Sequence, residues 1–331
     1  MVKDKLNDSQ IKTVNMSSNA VPFVPLRWSV YDYRELFQEF DSANADSYAA
    51  TRDFAIYRYF VMEGRSAPQN PFTSMMEALH DNSITQATQN ILAGQKVAAV
   101  MGGHKLARNS KQYTDIARLS RRLTRAGILL CTGGGPGAME ATHLGAALAP
   151  SADSELDVAV KELSAVPTVP ALSDIVARDG TVDQSLVVQS HAWFKPAFEI
   201  VKRLSNLGSS LAIPTWHYGH EPTTPFATSI AKYFQNSIRE DGLLAIATQG
   251  IIFAEGKAGT IQEIFQDATQ NYYKTFSHFS PMVLLGSKYW TQDYPVVAVL
   301  EKLFTAADYG KYVLVTDDID EAASFIEEFV P

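Results

Sequence analysis

Gly133-Gly134-Gly135-Pro136-Gly137 follows the apolar run Ile128-Leu129-Leu130-Cys131 and opens a helical pattern that continues through Leu148. This strand-turn-helix junction restricts the fold more than any other stretch. Glycine lets the backbone approach a ligand with no Cβ in the way and accepts positive φ. Amides at a helix start point outward, and the helix dipole favours an anion there. Pro136 suits a first helical turn, where its missing N–H has no partner to lose. A turn serving only helix–sheet packing is the simpler alternative, but four glycines in five residues exceed that need, so the spacing predicts a phosphate cradle at Gly133, Gly134, Gly135 and Gly137.

Similar junctions recur. Short apolar runs at 97–101, 128–131, 210–214, 251–254, 282–285 and 312–315 alternate with amphipathic stretches. The stretches at 113–126, 191–207, 226–247 and 319–329 read as helices, as does the one after Thr260. This alternation predicts an α/β fold: a Rossmann-like parallel sheet with helices on both faces. Ligands in such sheets bind beyond the carboxyl ends of the strands, at the topological switch point. The segment 150–190 is proline-bearing and reads as an insertion. Residues 1 to about 25 read as a polar arm, 31–62 and 74–92 as helical, and 64–71 as a break. The domain reading is therefore an N-terminal arm and helical extension over 1–93, followed by a nucleotide-binding domain over 94–331.

The formal charge of −8 argues against broad nucleic-acid binding, which needs a lysine and arginine footprint. Cys131 is the one cysteine, so an internal disulfide is impossible, and its apolar setting reads as a buried strand residue. No secretory signal and no membrane-length apolar run is visible, which predicts a cytoplasmic protein. His217, His220 and Glu221 lack metal-ligand spacing, so no metal is expected. Trp216 and Tyr218 suit either a nucleobase or the core. No phosphate-loop motif is present. The fit to the dinucleotide fingerprint lacks the acidic residue about twenty positions on, so no cofactor is expected and an NAD-dependent enzyme is a distant alternative.

Gly256-Lys257-Ala258-Gly259-Thr260-Ile261-Gln262-Glu263 joins a further strand to a helix. Amides near Gly259 and Thr260 suit a second anion cradle. A capping box, with Thr260 as cap and Glu263 reaching back to its amide, explains the same residue types, and spacing does not separate the two. Gly102-Gly103-His104-Lys105 ends the first strand as a third edge, with Lys105 and Arg108 as phosphate-neutralising or merely solvated charges.

Gly133-Gly134-Gly135-Pro136-Gly137-Ala138-Met139-Glu140, followed in order by the Gly256–Glu263 stretch, resembles the LOG (Lonely Guy) family, once labelled lysine decarboxylases. The resemblance covers about residues 96–316. It implies a hydrolase that cleaves the N-glycosidic bond of a nucleoside 5′-monophosphate such as AMP, giving free base and ribose 5-phosphate. It further implies Glu263 as catalytic carboxylate, Arg239 as phosphate- or ribose-holding group, and a homodimer. On the same resemblance, Gly102, Gly103, Met139, Gly256, Gly259 and Thr260 join the first turn's glycines as substrate-binding residues. The chain departs from the family pattern at Glu255 and Lys257, which stand where a proline and a glycine are usual, and it lacks the MHxRK signature. A non-catalytic nucleotide-binding sensor on the same fold is the alternative.

Overall fold

Alternation along the central strands decides which residues face which helices. In the computed structural model, which describes residues 9, 21–68, 70–217, 222–275, 279–304 and 310–330, seven strands form one sheet. They are β1 (Lys96–Met101), β2 (Ile128–Thr132), β3 (Ser210–Ala212), β4 (Ser229–Ile230), β5 (Gly250–Phe253), β6 (Met282–Leu285) and β7 (Val313–Thr316). Their order is β4-β3-β2-β1-β5-β6-β7, and every neighbouring pair is parallel. The chain steps outward from β1 to β4, then returns to the other side of β1 as β5. The switch point therefore lies between β1 and β5, where Ala98 stands opposite Gly250 and Met101 opposite Phe253.

Ala98, Val100, Leu130 and Ile252 face a layer containing helices Lys111–Arg125, Ala138–Ala147 and Ile319–Glu327. Val97, Ala99, Met101, Ile251 and Phe253 face the opposite way. They pack with helices Arg52–Met62, Pro71–Leu92, Gln184–Arg203 and Ala258–Tyr272. The N-terminal helices thus share one core with the sheet. Phe54, Phe60 and Ile84 are buried in the same cluster as Phe194 and Phe253. No helix among the described residues is long and apolar enough to cross a membrane.

Three expectations are corrected. The helix expected over 226–247 begins only at Asn236 and ends at Ile246. Ser229–Ile230 instead pairs with β3, and Ile230 exchanges backbone hydrogen bonds with Tyr31. Long-range pairing outweighs the local period there. The stretch 31–62 is broken into helix Tyr33–Leu36, a 3₁₀ turn Ser47–Ala50 and helix Arg52–Met62. Thr51 restarts the last of these by accepting the Phe54 N–H. The segment 150–190 contains helix Asp153–Leu163 and the first turns of Gln184–Arg203, which Asp183 caps through the Ser185 and Leu186 amides. Residues 1–8 and 10–20 of the expected arm, and Tyr218, His220 and Glu221, lie outside the described residues.

Candidate functional site

Beyond the carboxyl ends of β1 and β5 lies a cleft of about 630 Å³. Its rim is made by the turns that leave these strands. The Gly103 N–H donates to the Glu255 carbonyl at 2.9 Å and holds the two turns together. Gly256 is close enough to Gly103 and to Thr260 that an added Cβ would stand 2.1 Å from Thr260 Oγ1. The Tyr289 hydroxyl donates to the Gly256 carbonyl at 2.6 Å, which fixes the turn from the β6 side.

The local structure separates the two readings of Thr260 and Glu263. Helix Ala258–Tyr272 has Lys257 at its N-cap, with no side-chain cap. Its first i→i−4 bond runs from the Ile261 N–H to the Lys257 carbonyl at 2.9 Å. Thr260 is therefore the third helical residue and Glu263 the sixth, so a capping box between them is ruled out. The amides of Ala258, Gly259 and Thr260 precede the first helical bond and have no partner within the helix. Ala258 and Gly259 are exposed, and nothing lies within 4 Å of where a Gly259 Cβ would stand. Thr260 is buried, Glu263 half-buried, and both line the cleft.

Arg239 enters from the opposite wall. Its helix, Asn236–Ile246, starts where the Phe234 and Gln235 amides donate to the two carboxylate oxygens of Asp81, at 3.0 and 2.9 Å. Asp81 belongs to helix Pro71–Leu92, so an N-terminal helix fixes the start of the helix that carries Arg239. A Cβ on Gly133 would lie 3.6 Å from Arg239 Nη1 and 3.0 Å from Met139 Sδ. Gly102, Gly103, Gly133, Met139, Arg239, Gly256, Gly259, Thr260 and Glu263 all line this cleft. So do Glu240, Glu255, Lys105 and Lys257, which give it carboxylates and cations in comparable number.

Gly134, Gly135 and Gly137 are not among the lining residues of that cleft. The Gly134 N–H donates to Thr132 Oγ1 at 2.8 Å, and the Gly135 N–H faces Met139 Sδ at 3.4 Å. Thr132 Oγ1 lies 2.8 Å from His143 Nε2, whose Nδ1 lies 2.8 Å from Ser210 Oγ. Burial pushes the His143 pKa down to about 3, so the ring is a neutral brace beneath the turn. Gly137 has φ of 71°, and a Cβ there would meet the Gly103 carbonyl at 2.3 Å. Gly137 thus serves close backbone packing, and Gly134, with φ of 72°, packs against the Ala212 and Pro214 side chains.

Arg108 is neither solvated nor a phosphate ligand. It is 1% exposed and donates to both Glu140 oxygens, at 2.6 and 2.7 Å, while Tyr113 donates to the same carboxylate. Trp216 is core: its indole N–H donates to Asp53, and Lys232 donates to the same oxygen. His217 Nδ1 lies 2.7 Å from Ser66 Oγ. Burial raises the Cys131 thiol pKa far above its usual range.

No known protein family matches this chain, and no curated protein matches it either. No sequence motif marks Tyr289, which also lines the cleft, although Gly286 directly after β6 repeats the strand-end glycine seen after β1 and β2. Burial, with Tyr294 and Glu255 nearby, raises the Tyr289 pKa and keeps its hydroxyl a donor at neutral pH.

Proposed function

We propose that the chain hydrolyses the N-glycosidic bond of a nucleoside 5′-monophosphate such as AMP, as the LOG-family resemblance implies. The observation that carries this reading is the shared cleft: open helix-start amides at Ala258–Thr260, the Glu263 carboxylate one turn on, and Arg239 across from them. In this reading the amides and Arg239 hold the phosphate or ribose. As the base departs, positive charge grows at C1′ of the sugar, and Glu263 stabilises it or orients water. Water adds its oxygen to C1′, the C1′–N bond breaks, and the water's proton leaves with the base. The reading carries with it a homodimer and a cytoplasmic setting.

The test is chromatographic detection of free base from a panel of nucleoside monophosphates. Wild-type protein is expected to release base, and Glu263→Gln to lose roughly 10²-fold or more in rate while still binding nucleotide. Full activity in that variant discards the role given to Glu263. Tight nucleotide binding with no base released on long incubation points to the sensor alternative.

A further inference from the structure

A second cavity of about 690 Å³ lies on the other side of the loop after β1. His104, Lys105 and Leu106 line both cavities and form the ridge between them. The ridge is seated on Gly137, whose Cα approaches Gly103 and His104 closely enough to exclude any side chain. Thr260, Glu263 and Arg239 do not line this second cavity. Its character differs accordingly. Pro136, Pro167 and Pro170 supply rigid apolar walls, with Val169, Leu172 and Trp193 beside them.

The floor indicates what such a cavity accepts. Arg108 and Glu140 both line it, but each is already satisfied by the other. Arg108 Nη1 donates in addition to the Trp193 carbonyl at 2.8 Å, and Glu140 receives Tyr113 as well. On the floor a cation meets a neutralised carboxylate and an anion a neutralised guanidinium, while the lysine of the lining, Lys105, stands exposed on the ridge. Desolvating either without a new partner is costly. The Arg108 guanidinium carbon lies 4.0 Å from the centroid of the Trp193 ring, so the floor joins a buried cation to a buried indole. A concave, mostly apolar chamber of this size is the usual form of a small-molecule site.

We infer that this chamber is a second ligand site, distinct from the nucleotide cleft, for an uncharged, mostly apolar small molecule, for which a compact aromatic such as indole is a suitable probe. Its wall and floor are tied together through Arg108, and it meets the cleft at His104–Leu106. The Arg108 N–H donates to the Pro167 carbonyl at 2.9 Å in the chamber wall, and the Arg108 side chain holds Glu140 in the helix after the glycine-rich turn. An occupant pressing on the wall or ridge shifts His104–Leu106, which the nucleotide cleft shares. The site does not depend on hydrolysis, or on a nucleotide being the cleft's ligand.

Indole serves as the probe, with calorimetry and saturation-transfer NMR as readouts on the full chain. Wild-type protein is expected to bind indole, and to go on binding it when the cleft is saturated with AMP. Indole-3-acetate, the same ring with a full charge, is expected to bind about tenfold more weakly. Val169→Trp fills the chamber, and Ala171→Trp blocks it from an exposed wall position where the fold is not at stake. Each is expected to weaken indole about tenfold or more, with an unchanged melting temperature in Ala171→Trp. The inference is overturned by no indole uptake at its solubility limit, by stoichiometric displacement of indole by AMP, by tighter binding of indole-3-acetate, or by wild-type affinity in Ala171→Trp. Should AMP fail to bind at all, the indole and variant arms still decide the matter, so failure of the nucleotide reading and failure of this one are told apart.

Discussion

Gln262 Nε2 donates to Glu240 Oε1 at 2.7 Å, and each residue is the chain neighbour of a cleft residue, Glu263 and Arg239 respectively. One turn further along, Gln266 donates to Asp241. The two helices that bring the carboxylate and the guanidinium together are thus laced along their exposed edges. Gln262→Ala is expected to change stability by no more than about 0.5 kcal/mol, as exposed polar contacts do. Base release is expected to fall several-fold, because the two groups lose their fixed separation. Steady-state assays beside a thermal melt check this, and an unchanged rate would show that the lacing does not govern the site.

Asp81 caps the Arg239 helix from inside the core. Asp81→Ala leaves one buried and one half-buried amide without acceptors and is expected to cost about 2–4 kcal/mol. Asp81→Asn keeps one acceptor oxygen and should cost less. Urea denaturation measures both, and equal losses would mean that the second amide bond contributes nothing.

Two glycines of similar sequence context are expected to behave oppositely. Gly137→Ala forces a Cβ to within 2.3 Å of the Gly103 carbonyl at positive φ, and should destabilise the fold by several kcal/mol or prevent folding. Gly259→Ala meets open space in a helical turn and should stabilise by up to about 1 kcal/mol. The same substitution should weaken nucleotide binding by crowding the open amides. Melting temperatures together with a binding titration test the pair.

Glu77 is buried in helix Pro71–Leu92, and its Oε1 has no hydrogen-bond partner. Burial, and then the nearby Asp81 and Glu63, push its pKa up from 4.5 to about 8. The folded state therefore holds a proton that the unfolded chain releases near 4.5. Its contribution to stability is present below that value and is lost as pH rises towards 8. Glu77→Gln should flatten this slope and make the protein relatively more stable at pH 8. Denaturation curves at pH 5 and pH 8 test it; an unchanged slope would clear Glu77 of responsibility.

The sheet-forming runs, the glycine-rich turns and the class of fold were legible in the amino-acid order, because apolar runs, helical patterns and backbone-permissive residues are local properties. The continuous apolar run Val97 to Met101, buried throughout, is one instance. Other features depend on partners far away in the chain. Ile230 is a strand because Tyr31 and Ala212 flank it, not because of its neighbours in sequence. Arg108 is a buried structural cation because Glu140 happens to face it. Only the strand order puts β5 beside β1, and with that the Thr260 turn, Arg239 and Gly133 around one hollow. Which glycines touch that hollow and which merely let two backbones meet was likewise decided in three dimensions, since a missing side chain leaves no mark in sequence of what occupies its place.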